Sequence, residues 1–318
     1  EELTAEGTAE AKVRFTSLQG APGSWRGIRI RTTNIGNRIA HAVVEHAGGG
    51  ADPLPALVVG STLPADGTLE LSDTELVDNA GSGLGLFGGG RLTTFRDVKV
   101  LRNGPQAVEV EAPLVGQLRG SGNAFEGVVH LETSSLLKLK ADAVWPSVAP
   151  AVYRVVGKGG LGGDIVQVER HLEIEPGAVF EMVGGSGFLV TGGTSGLKAI
   201  GTPSEKIVFR GVSGSSWAGI TFGESTWVEN RLENVEVRNA SAAPSWGFYA
   251  TGNTSVRKAG LLLGYNKATS VAVTVKDLLV TGPNQAPADV AVKAGTTLTQ
   301  EGTVNGTGAG GLLELESF

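Results

Sequence analysis

The sequence predicts an all-β fold, a parallel β-solenoid of about a dozen coils. Three observations point there. Glycine fills 49 of 318 positions, roughly twice the usual share, without the Gly-X-Y period of collagen. Apolar residues alternate with polar ones over short stretches bounded by Gly, Asn, Ser or Pro, as strands do. Similar segments also recur along the chain, at long and short spacing, which is how stacked repeats announce themselves.

The glycine content argues against helices, because each interior Gly costs a helix about 1 kcal/mol relative to Ala. No stretch of ten residues sustains a 3.6-residue period with helix caps. Val108-Glu109-Val110, Val235-Glu236-Val237 and Val271-Ala272-Val273-Thr274-Val275 instead alternate as strands.

The long repeat is a duplication. Leu3-Thr4-Ala5-Glu6-Gly7-Thr8 matches Leu197-Lys198-Ala199-Ile200-Gly201-Thr202, with Lys12/Lys206 and Phe15/Phe209 at the same offset of 194. Ser24-Trp25-Arg26-Gly27-Ile28 matches Ser216-Trp217-Ala218-Gly219-Ile220 at 192. Asn37-Arg38-Ile39 matches Asn230-Arg231-Leu232, and Ala47 matches Ala240, at 193. Two repeat units follow, 1–142 and 143–318, the first truncated at its start and the second continuous with it or stacked on it. The second copy is preceded by about 50 residues that the first lacks, so the natural chain is expected to extend upstream.

A finer repeat runs inside each unit. Ile39 to Gly48 resembles Leu71 to Gly81 and Leu92 to Gly104. Aligned on the small polar residue before the turn, these segments place positions 46, 79 and 103 together, spaced by 33 and 24. Coils of roughly 24 residues stacked about 4.8 Å apart would make a rod some 60 Å long. Asn at such a turn tolerates a left-handed backbone and can bond with Asn one coil on.

Composition narrows the function. Lys and Arg number 26 and Asp and Glu 32, giving a net charge of −6, which is no footprint for nucleic acid or an anionic membrane. The longest apolar runs are too short to span a bilayer. Cysteine is absent, which removes disulfides, thiolate zinc sites and Cys nucleophiles. No signal peptide is visible and the chain opens at Glu1; we read it as a trimmed fragment of an exported protein.

The order of certain segments is familiar. Leu172-Glu173-Ile174-Glu175-Pro176-Gly177-Ala178-Val179-Phe180 is followed by Gly196 to Thr202 and Lys206-Ile207-Val208-Phe209. Ser216 to Phe222 and Asn230 to Ala240 come next. Together they resemble the right-handed parallel β-helix repeats of bacterial surface proteins and lipoproteins, of pectin-lyase-like fold. The resemblance covers most of 143–318 and, truncated, 1–142. It implies a right-handed rod that is secreted or held at the bacterial cell surface. It carries no catalytic residue, since this fold hosts lyases, hydrolases and adhesins alike.

Candidate chemistry is sparse. His41 and Glu45 fall on one strand face and His46 on the other, while the duplication aligns His41 with Asn234 and His46 with Asn239. Both histidines therefore read as substitutes for Asn at a turn. His130 and His171 stand alone, with a structural hydrogen-bonded role as the default. The GxGxxG matches at Gly83/Gly85/Gly88 and Gly157/Gly159/Gly162 lead into strands rather than helices, so they are turns and not dinucleotide loops. Glu109 and Glu111 alternate with Val as a solvated face does. Hydrolysis would need two carboxylates one or two rungs apart, and Glu75 with Asp97 on successive coils is one such instance.

Binding has better footing. Copy one spends ten residues from Ala47 to Leu57 where copy two spends 21 from Ala240 to Leu261. The 11 extra residues lie within Ser241–Lys258, which carries Trp246, Phe248 and Tyr249, and Trp227 lies nearby. Exposed rings give large contact area for a sugar face, so these four are the ligand-binding candidates. Trp25 and Trp217, just before Gly-Ile in both copies, read instead as packing anchors. The sequons at Asn239, Asn253 and Asn305 are expected to be unused. The expectation is a non-enzymatic extracellular module, a spacer or adhesion element binding a polysaccharide or a cell-surface protein. No metal or cofactor is called for, and the open ends invite end-to-end self-association. The alternative is a polysaccharide lyase or glycoside hydrolase working in a groove along one face.

Overall fold

A computed structural model describes residues 2–50, 54–61, 66–134, 136–157, 165–213, 215–240, 259–264, 271–282, 290–293, 295–305 and 313–315. The chain forms two compact units, residues 1–131 with 148–153, and residues 132–147 with 154–318. Both are parallel β-solenoids, and every strand pair with a defined register in either unit is parallel.

In the first unit each coil contributes one strand to each of three sheets. The first coil holds β1 (Thr4–Glu6), β2 (Val13–Phe15) and β3 (Ile28–Ile30). The second holds β4 (Arg38–Ala40), β5 (Ala42–Glu45) and β6 (Leu57–Gly60). The third holds β7 (Gly67–Ser72), β8 (Glu75–Val77) and β9 (Leu84–Phe87). The fourth holds β10 (Gly90–Arg96), β11 (Lys99–Leu101) and β12 (Val108–Glu111), and β13 (Ala124–Phe125) and β14 (Val128–Thr133) follow. The sheets run β1-β4-β7-β10, β2-β5-β8-β11-β13 and β3-β6-β9-β12-β14. Like residues stack inside: Ile39, Leu71 and Phe95 in one row, Val44, Leu76, Val100 and Phe125 in another. Each of these is at most 5 % exposed.

The second unit repeats the scheme with longer strands. Its first three coils are β15 (Ala143–Trp145), β16 (Val152–Gly157) and β17 (Ile165–Val168); β18 (His171–Ile174), β19 (Val179–Met182) and β20 (Gly187–Val190); β21 (Gly196–Ile200), β22 (Ile207–Gly211) and β23 (Ile220–Phe222). Then single strands serve two faces: β24 (Arg231–Arg238) with β25 (Leu261–Leu263), β26 (Ala272–Val280) with β27 (Val290–Lys293), and β28 (Thr297–Asn305) with β29 (Leu313–Leu315). β24 pairs with β21 through its first half and with β22 through its second. Its core is aromatic: Phe180 and Phe209 stack at 5.0 Å, and Phe188 meets Phe209 edge-on at 5.1 Å.

The duplication recurs bond for bond. Asn37 Oδ1 accepts the Leu3 amide at 3.0 Å, and Asn230 Oδ1 accepts the Leu197 amide at 3.0 Å. Trp25 Nε1–H donates to the Glu45 carbonyl and Trp217 Nε1–H to the Arg238 carbonyl, both at 2.8 Å. These are the packing anchors that the sequence suggested.

Three expectations need correction. Coils are not uniformly near 24 residues: Leu76 pairs with Val100 after 24, but Leu232 pairs with Val275 after 43. Surface loops absorb the difference without disturbing the rungs. The turn alignment also shifts by one, because Glu45 faces Val77. His46 therefore stands with Asp78 and Arg102, and Ala47 with Asn79 and Asn103. What recurs at 46, 78 and 102 is a left-handed backbone, with φ of 62°, 54° and 51°, whatever the residue type. Lastly, Glu111 is 7 % exposed rather than solvated. Its Oε2 accepts the Gly88 amide at 2.7 Å, one coil back, just before the chain enters a short 3-10 helix at Ala112–Leu118.

The histidines do stand in for Asn at turns. His41 and Asn234 have φ of 47° and 49°, His46 and Asn239 of 62° and 60°. Asn also bonds to Asn across coils, Asn79 Nδ2 donating to Asn103 Oδ1 at 2.8 Å.

Candidate functional site

Outward residues on parallel strands stand in rows one coil apart, so a charge on one rung meets whatever the next rung carries. In the second unit Glu181 sits between Arg154, 2.6 Å away, and Arg210, at 2.8 Å. Burial alone pushes its carboxyl up, but hydrogen bonds and charge from both arginines outweigh this and hold it below the usual carboxylate range. Burial likewise opposes, and Lys206 with Arg238 overcomes, at Glu236. Glu233 is held low by Lys276 at 2.6 Å and Arg231 at 2.8 Å. In the first unit, burial raises Glu45 but its bonds to Arg14 and Thr16 lower it further, so the net shift is down. Arg102 holds Asp78 low in the same way. The basic partners of these pairs are mostly solvent-exposed, so water and salt screen them.

Two grooves interrupt the rows. In the first unit Ala9, Lys12, His41, Asp73, Glu75, Asp97 and Lys99 line a space of about 380 Å³. It joins Glu75 and Asp97, the two carboxylates that hydrolysis would recruit. However, Glu75 bonds Lys12 at 2.8 Å and its carboxyl is lowered chiefly by that bond. Arg96 reaches both Asp73 and Asp97 at 3.1 Å. A general acid needs a raised carboxyl, and among the described residues every resolved carboxylate shift is downward.

The second groove, about 390 Å³, lies in the second unit and is lined by Asp142, Ala143, Val144, His171, Glu173, Trp227 and Glu229. Its centre is a substitution of one side chain by another. Gly196 faces His171 on the neighbouring strand. A Cβ on Gly196 would lie 1.9 Å from Trp227 Cε3, so the half-buried indole occupies the rung that Gly196 leaves empty. There it stacks on the His171 ring, centroids 4.4 Å apart and planes 20° from parallel. His171 Nδ1 is 3.2 Å from Asp142 Oδ1 on its other side. One row thus reads Asp142, His171, Trp227. Beside it Lys198 bridges Glu173 at 3.4 Å and Glu229 at 3.1 Å, and its ammonium is held protonated chiefly by the Glu229 bond.

Of the four aromatic candidates, Trp227 lines this groove, while Trp246, Phe248 and Tyr249 lie outside the described residues. His171 is not the isolated residue it looks in sequence. The missed signal is the coil offset: Ala143 pairs with Leu172, so Asp142 necessarily faces His171. Gly83 leads into β9, Gly85 lies within it and Gly88, left-handed at φ 55°, turns the chain into β10, while Gly159 and Gly162 of the second match lie outside the described residues. Among the described residues no three His, Asp or Glu gather so as to hold a metal ion, and no helix is long and apolar enough to cross a membrane. No family model, curated protein or solved structure matches the chain.

Proposed function

We propose that the chain is a non-enzymatic extracellular module of a bacterial surface protein, a spacer and adhesion element that binds a polysaccharide or a cell-surface protein. The supporting observation is the state of its carboxylates: outward acids such as Glu181, Glu233 and Glu236 are tied ionised into cross-coil pairs. Groups so committed contribute to a durable surface and make poor proton donors. The resemblance to bacterial β-helix repeats supports export; stacked coils need no disulfides, so the lack of cysteine is compatible with this and equally with a cytosolic protein. End-to-end self-association belongs to the same reading.

The rival reading, a lyase or hydrolase, draws on the meeting of Glu75 and Asp97 in one groove. The two separate on incubation with a panel of acidic and neutral polysaccharides. Neither new reducing ends nor unsaturated products are expected; sustained turnover of any member overturns the proposal.

A further inference from the structure

From the groove at Trp227 we infer that this surface takes an amino sugar, a pyranose ring carrying a protonated amine. The inference rests on the binding role proposed above and names its ligand class. Two independent features carry it. The first is apolar: the half-buried indole of Trp227, packed over Gly196 and stacked on His171, lines the groove together with Ala143 and Val144. An aromatic ring held rigid beside small apolar side chains offers contact area for the C–H face of a sugar at little entropic cost. The space of about 390 Å³ falls within the usual range for small-molecule sites.

The second is charge. Asp142, Glu173 and Glu229 line the groove, and one cation, Lys198, is shared between two of them. The Asp142 side chain is 70 % exposed and that of Glu229 56 %, so both keep oxygens free for a donor from solvent. A recess dominated by carboxylates concentrates cations and repels anions. It therefore disfavours uronic-acid polymers, whose own carboxylates would face Asp142 and Glu229, and favours an ammonium, which these oxygens accept in charge-assisted bonds. An ammonium near the indole gains cation–π attraction as well.

Calorimetric titration of the whole chain at mildly acidic pH tests this with three oligosaccharides of equal length: β-linked glucosamine, its N-acetylated form, and galacturonate. The glucosamine oligomer is expected to bind at least about tenfold more tightly than the acetylated one, with no heat from galacturonate. Trp227→Ala and the double variant Asp142→Asn/Glu229→Gln should each lose about tenfold or more in affinity. The double variant alters exposed side chains and leaves the strand pairing in place, so its far-ultraviolet circular dichroism should match the parent and fold loss is separated from site loss. Equal binding of the amine and its acetylated form, unchanged affinity in the double variant, no binding of glucosamine at all, or equal binding of an oligolysine peptide would each overturn the assignment. Silence towards glucosamine without turnover of any polysaccharide removes this inference alone, whereas turnover removes the non-enzymatic reading.

Discussion

Replacing Asn79 by Ala tests whether the side-chain amide ladder holds the coils together. Asn79 is 3 % exposed. Its Oδ1 accepts the Ala47 amide at 2.8 Å, and its Nδ2 donates to the Val44 carbonyl at 3.1 Å and to Asn103 Oδ1 at 2.8 Å. Three bonds vanish together in Asn79→Ala. Each is worth about 0.5–1.5 kcal/mol net, and a buried donor left without an acceptor costs about 1–3 kcal/mol. Ala47 and Val44 are both 0 % exposed, so water does not readily replace the lost partner. Three bonds at about 1 kcal/mol each, plus up to about 2 kcal/mol for the orphaned Ala47 donor, give a loss of about 3–5 kcal/mol. For a unit of about 140 residues unfolding with about 2.1 cal/mol/K per residue, that lowers the melting temperature by about 10–17 °C.

Thermal unfolding followed by circular dichroism gives the total, and amide hydrogen exchange gives the locality. Protection should fall most at Ala47 and in β5, and least in β10. A drop below about 3 °C, equivalent to roughly 1 kcal/mol, would mean that the ladder is incidental and that backbone pairing alone sets the stacking. Equal loss of protection along every coil would equally refute the local clamp.

Three other perturbations follow from the same geometry. His41→Val should destabilise by about 1–2 kcal/mol, because a β-branched residue resists the left-handed backbone, while His41→Asn, copying Asn234, should leave the urea midpoint unchanged. Gly196→Ala places a methyl group where Trp227 Cε3 lies 1.9 Å away, so the indole must leave His171; the Trp227 indole resonance should shift strongly while far-ultraviolet circular dichroism stays constant, and an unmoved resonance contradicts the packing. Glu181 has a folded pKa below its unfolded value, so its contribution is present above about pH 4.3 and is lost as pH falls through the lower folded value. Glu181→Gln should therefore reduce stability at neutral pH and flatten its acid dependence; an acid limb identical to the parent's removes Glu181 as a source.

Much of this fold was legible because the repeat is written in backbone demands. Asn37 and Asn230 recur because each caps the amide of a leucine one coil earlier, and Trp25 and Trp217 because each indole reaches a carbonyl. The turn register was harder to see. His46, Asp78 and Arg102 share a φ near 55° but no chemistry, so aligning by residue type moves the rung by one. The acid at 111 defeated the alternation rule for a related reason: its partner, the Gly88 amide, lies 23 residues away in sequence yet next door in space. The groove at Trp227 was half-legible. Trp227 stood out as an aromatic, but Asp142 and His171 meet only once a coil length is known, and Gly196 gives no hint that another residue's ring fills its rung.

That last substitution suggests where function can arise on a surface of this kind. Wherever the outward rows are regular, each charge is answered one coil away, as Glu181 is by Arg154 and Arg210, and a ligand would have to compete with a satisfied pair. Recognition then needs a rung that breaks the pattern. At Gly196 the row lacks a side chain, an indole from a later loop enters, and the acids flanking it outnumber the single lysine between them. The first-unit groove breaks its row less: Glu75 is answered by Lys12, and Asp73 and Asp97 by Arg96. Duplication makes the comparison direct, because copy one aligns Leu3 with Leu197 yet offers Glu2, not glycine, at the place of Gly196. Its counterpart of the Trp227 rung is thus filled by its own side chain, Glu2, which accepts from Asn34 and Thr4. Introducing Glu at 196 should accordingly close the second groove and abolish glucosamine binding while the coil persists, and binding retained by Gly196→Glu would show that the ligand sits elsewhere.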